Sequence, residues 1–64
     1  AGAPSSRVYQ WNDVFISTYR MNIDSGMSRQ EAIDSARQNA FDTVTLSGDE
    51  ASQIKTDPRL YGDD

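Results

Sequence analysis

From Ser6 to Asp24 the apolar positions recur at helical spacing, and at about 100° per residue they sort unevenly around the axis. Gln10, Asp13, Ser17, Arg20 and Asp24 fall in one narrow polar stripe. Val8, Tyr9, Trp11, Val14, Phe15, Ile16, Tyr19, Met21 and Ile23 occupy well over half of the circumference, interrupted only by Asn12, Thr18 and Asn22. A surface helix of a small protein needs one apolar stripe, and this one offers two. Val8, Trp11, Phe15 and Tyr19 run along one side, flanked by Val14 with Met21 and by Tyr9, Ile16 and Ile23. The second helical pattern, residues 28–44, is the reverse. Its seam of Ile33, Ala36, Ala40 and Val44 is narrow and mostly small, with Phe41 beside it and Arg37 breaking it. Alanines permit close helix approach and leave room for a bulky neighbour.

Local signals place the element ends. Ser5 or Ser6 is available as the cap of the first helix, and Gly26 lies just past its end. Met27–Ala32 (MSRQEA) and Leu46–Ala51 (LSGDEA) share one layout, in which an apolar residue and Ser precede Glu and Ala. Ser at the cap accepts from the backbone N–H three residues on, while Glu reaches back to the N–H of the cap. The first box opens the second helix and the other opens a short third helix over 47–55. Asp57-Pro58 stops that helix, because the residue before proline is pushed out of the α region. Pro58 can then begin a single turn capped by Asp57. Phe41–Leu46 (FDTVTL) carries strand-like residues, but a lone strand has nothing to pair with, so it reads as a helix end and connector. The expected fold is all-α: one unit over 1–64, with an N-terminal arm (1–5), a helical hairpin (6–24 and 28–44), the short third helix and an extended polar tail (56–64).

Size sharpens the problem of the surplus apolar face. A chain of 64 residues buries a modest core and is marginal without a disulfide, a metal or a partner. Cysteine and histidine are both absent, which removes disulfides, Cys/His metal sites, thiol nucleophiles and histidine acid–base chemistry. No cofactor is expected. Carboxylate pairs such as Asp13/Asp24 or Glu31/Asp34 fall on solvated faces of a chain too short to offer much concavity, so an enzyme is not expected. Leu46, Ile54 and Leu60 add too little to cover both sides of the first helix. A partner surface made of Val8, Tyr9, Trp11, Val14, Phe15, Ile16, Tyr19, Met21 and Ile23 follows, contacting another protein or a second copy.

Charge weighs against nucleic acid. Ten acids and six bases give a net charge of −4. Ala1–Thr43 carries five acids and four arginines, and Val44–Asp64 five acids and two bases. Phosphate binding needs concentrated Lys and Arg, which these scattered arginines do not supply. Gly26-Met27-Ser28 resembles the turn of a DNA-reading helix-turn-helix, and Arg29, Gln30 and Arg37 would then be the contact residues. The supporting positions depart from that pattern, with Asn22 before the turn and Ala32 and Ser35 after it. A helix-ending glycine followed by a cap accounts for the same residues. Tyr61–Asp64 (YGDD) resembles the Gly-Asp-Asp of RNA-copying polymerases, but that motif sits on a strand hairpin. No apolar run approaches membrane-spanning length and no signal-peptide layout is present. The sequence therefore predicts a non-catalytic interaction subunit, intracellular or part of an intracellularly assembled particle. An accessory or cement-type component of a phage particle is one form, and a small helix-turn-helix regulator is the alternative.

Overall fold

The computed structural model describes residues 5–63 and is all-α, with a helical hairpin at its centre. Helix α1 runs Ser6–Asp24 and helix α2 Arg29–Thr43. A one-turn helix α3 follows at Gly48–Ala51, and a 3-10 turn closes the chain at Pro58–Tyr61. The N-terminal arm lies outside the described residues except for Ser5, which caps α1 by accepting from the Val8 N–H.

The hairpin turn is built from local chemistry. Gly26 takes φ +100°, donates to the Ile23 carbonyl at 3.0 Å, and lets the Met27 N–H reach the Asn22 carbonyl at 3.1 Å. These paired bonds satisfy carbonyls that the end of α1 would otherwise leave open. Ser28 then caps α2 by accepting from the Glu31 N–H. The two capping boxes differ. At Ser47 both halves form, with the Glu50 carboxylate accepting from the Ser47 N–H at 3.0 Å. At Ser28 the Glu31 carboxylate instead accepts from the Ser28 hydroxyl at 2.8 Å.

α1 packs chiefly on α2 through Ala32, Ala36 and Ala40, all fully buried. Ala36 and Ala40 hold the seam as expected, but its ends differ. Ala32 takes the central line, while Ile33 and Val44 flank it, partly buried. Small side chains let the backbones approach, and the bulk of the core comes from α1 as Trp11, Phe15, Ile16 and Tyr19. The polar interruptions of α1 are ties to other elements. Asn12 Oδ1 accepts from the Lys55 N–H at 3.0 Å, Thr18 Oγ1 from Asn39 at 2.8 Å, and Asn22 donates to the Ala32 carbonyl at 3.3 Å.

Two expectations about the C-terminal third are corrected. The third helix stops at Ala51 instead of Lys55, because the Lys55 N–H is taken by Asn12 and the chain turns to pack Ile54 on the core. The single turn expected at Asp57-Pro58 is present, with Asp57 capping it through the Arg59 N–H at 3.0 Å. The tail is nevertheless not extended, since Pro58 is fully buried and Tyr61 lies over Phe15.

Candidate interaction surface

Aromatic rings form a continuous chain across the molecule. Phe41 of α2 meets Trp11 edge-on at 5.0 Å, Trp11 stacks on Phe15 at 5.5 Å, and Phe15 meets Tyr61 at 6.0 Å. Phe41 and Tyr61 thus add to the cover that the alanine seam gives the Trp11–Phe15 line of α1. The surplus face is largely internal. Of the nine residues assigned to a partner surface, Val8, Trp11, Phe15, Ile16 and Tyr19 are buried, and Val14 packs half-buried against the core. Only Tyr9 (55% exposed), Met21 (70%) and Ile23 (39%) face solvent. They do not form one stripe: on α1, Met21 points to the side opposite Ile23, and Tyr9 lies about four turns away from Ile23.

Arginines from the hairpin hold the C-terminal third in place. Arg7 grips Glu50 with two nitrogens, at 3.1 and 3.2 Å. Arg20 grips Asp63 at 2.8 and 3.2 Å, and Arg29 reaches Asp57 at 3.8 Å. Three of the four arginines before residue 44 are therefore tied to acids beyond it. This explains why the acid-rich end folds back onto the arginine-bearing hairpin. Glu50 is held near pKa 2, well below the ordinary carboxylate range. The Ser47 N–H and the Ser5 hydroxyl stabilise its charged form first, partly offset by burial, and Arg7 adds to them. Asp57 and Asp63 are lowered in the same sense, by hydrogen bonds from Arg59 and from Arg20 respectively. The Tyr61 phenol, donating to the Lys55 carbonyl at 2.8 Å, is pushed up to about 12 by burial and by the Asp13 charge.

Beside this clamp an open groove of about 470 Å³ is lined by Tyr19, Arg20, Ile23, Asp24 and Asp63. Tyr19 and Ile23 continue the helical line that begins at Phe15 under Tyr61. Asp24 sits in the last turn of α1, which carries no basic residue, although the helix dipole there favours a cation. The residues assigned to DNA reading are placed differently. Arg29 is engaged by Asp57, Gln30 donates to Asp34 at 3.0 Å, and Arg37 is exposed without an ion pair among the described residues.

Sequence reasoning missed the parts played by Tyr61 and Asp63, having read 56–64 as a tail. The available signal was an Asp-Pro cap placing a tyrosine one turn on, with unmatched arginines upstream. Among the described residues no group of three His, Cys, Asp or Glu side chains is placed to hold a metal ion, and no helix is long and apolar enough to cross a membrane. Comparison with protein-family models, curated proteins and solved structures finds no match for this chain.

Proposed function

We propose that the protein is a non-catalytic protein–protein interaction subunit whose contact surface is the groove at the C-terminal half of α1. The observation that carries this reading is the groove itself, which sets Tyr19 and Ile23 beside the Asp24 carboxylate and the Arg20–Asp63 ion pair. An apolar anchor on a partner fits over Ile23, and a basic residue beside it fits Asp24 at the negative end of the α1 dipole. The partner is another protein or a second copy of this chain. An accessory or cement-type component of a larger assembly, such as a phage particle, is a concrete form of such a subunit; small size and acidity support it.

The test compares two glutamate substitutions on opposite sides of α1. Ile23→Glu should abolish association, read by sedimentation velocity of the purified protein and by co-purification from its source. Met21→Glu should leave association intact, and both should keep the circular dichroism of the native helices. Equal loss in the two variants, or none in Ile23→Glu, would remove the groove from consideration. Val14→Glu is a poor probe, because Val14 packs on the core and its replacement disturbs the fold.

A further inference from the structure

The C-terminal segment covers part of the line that the groove leaves open. Phe15, Tyr19 and Ile23 follow one another at four-residue spacing along α1. Ile23 is partly exposed, Tyr19 floors the groove, and Phe15 is fully buried with Tyr61 against it. Asp63, which holds the segment to Arg20, is also a wall of the groove.

We infer that residues 56–63 form a releasable strap, and that its opening, with the hairpin intact, extends the groove from Ile23 back to Phe15. The mechanical argument starts at Lys55. Its N–H is fixed by the buried Asn12, so the chain is pinned there. Beyond the pin, two exposed ion pairs hold the segment to the hairpin, Arg20–Asp63 and Arg29–Asp57, with a long bond from Arg20 to the Tyr61 carbonyl at 3.5 Å. Their side chains are roughly half exposed on the arginine side, so water and salt screen them. The amides of Leu60, Gly62 and Asp63 bond only within the turn, to the carbonyls of Asp57, Arg59 and Pro58. A four-residue 3-10 turn does not persist alone, so release and melting are one event. The apolar hold is Pro58 and the Tyr61 ring. Elements with few buried contacts and exposed hydrogen bonds open at lower free energy than the core. The two long helices are joined by the alanine seam and by the Asn22–Ala32 and Asn39–Thr18 hydrogen bonds, none of which involves the strap.

The strap deepens the proposed contact surface, but it is tested without a partner. Amide hydrogen exchange at fixed pH should show Leu60, Gly62 and Asp63 less protected than Ala36 and Ala40 of α2. Asp63→Asn should speed exchange of the strap amides by roughly three- to tenfold, as should 1 M NaCl, and leave the α2 amides unchanged. The reversed pair Arg20→Asp with Asp63→Arg should restore protection. Tyr61→Ala should raise binding of an apolar-surface dye while the α2 amides remain protected. Strap and α2 amides losing protection together would overturn the inference, as would no response of the strap to Asp63→Asn. A strap that opens beside an inert Ile23→Glu variant would leave this inference standing and remove the docking surface.

Discussion

Trp11 sits between the two long helices, stacked on Phe15 of α1 and met edge-on by Phe41 of α2. Its side chain is fully buried, and its Nε1–H finds no acceptor among the described residues. A donor stranded in the interior forfeits its hydrogen bonds to water and costs about 1–3 kcal/mol. The burial of so large a ring outweighs that loss: removing it altogether, as in Trp11→Ala, costs about 3–5 kcal/mol. The two terms separate if the ring is kept and only the donor is removed. Benzothienylalanine at position 11, with sulfur in place of N–H, keeps the stack and should raise stability by about 1 kcal/mol in urea denaturation. Trp11→Phe should fall between the two, because it deletes the donor but leaves a void beside Phe15. An unchanged urea midpoint in the benzothienyl variant would show that the indole N–H is satisfied.

At the scale of elements, glycines separate local rules from tertiary ones. Gly26 holds φ +100°, and nothing lies within 4 Å of the place a Cβ would take, so only backbone strain opposes a side chain there. Gly26→Ala should therefore destabilise by about 1–2 kcal/mol. Gly48, at the start of α3, is equally open but without a positive φ. Gly48→Ala should stabilise by about 0.4–1 kcal/mol through a less free unfolded chain. Thermal melts of the two variants should move in opposite directions. Caps and turn of this kind were legible in the sequence because they are settled within four or five residues. Ser5, Ser28, Ser47, Asp57 and Gly26 all do what their neighbours dictate. The end of α3 was not legible, because Asn12 decides it from 43 residues away. The ends of the α2 seam differ from the expected ones for a related reason, while Ala36 and Ala40 stand as expected. Periodicity alone favoured Ile33 over Ala32, but the bulk of α1 leaves room on the central line only for alanine. The same holds for the candidate surface: the sequence groups Phe15, Tyr19 and Ile23 in one partner surface, and the packing of Tyr61 on Phe15 that separates them is a contact between distant parts of the chain.

For the molecule as a whole, the unequal charge of its two parts becomes a pH dependence located in one of them. Glu50, Asp57 and Asp63 all lie beyond residue 44 and all have pKa values below their ordinary ones. A carboxyl that holds its proton less tightly in the fold contributes stability that is complete above its unfolded pKa. For Glu50 that contribution is full above about 4.5 and is lost as pH falls toward 2. Asp57 and Asp63 act in the same direction below 3.8. Tyr61 works from the other end. Its neutral phenol is favoured in the fold, so its contribution is full below 10 and declines as pH rises toward 12. Acid and alkali therefore both loosen the C-terminal third. The melting temperature should fall between pH 4.5 and 2, and Glu50→Gln should flatten that acid limb while lowering the melting temperature at pH 7. At the alkaline end, phenolate absorbance should show one of the three tyrosines titrating near 12, and Tyr61→Phe should delete that step. A wild-type acid limb that survives unchanged in Glu50→Gln would place the acid sensitivity outside the Ser5–Arg7–Glu50 cluster. The hairpin should hold its circular dichroism further into both limbs than the strap holds its amide protection, since the ion pairs that titrate fasten the strap and α3 to the hairpin, while an apolar alanine seam joins the two long helices.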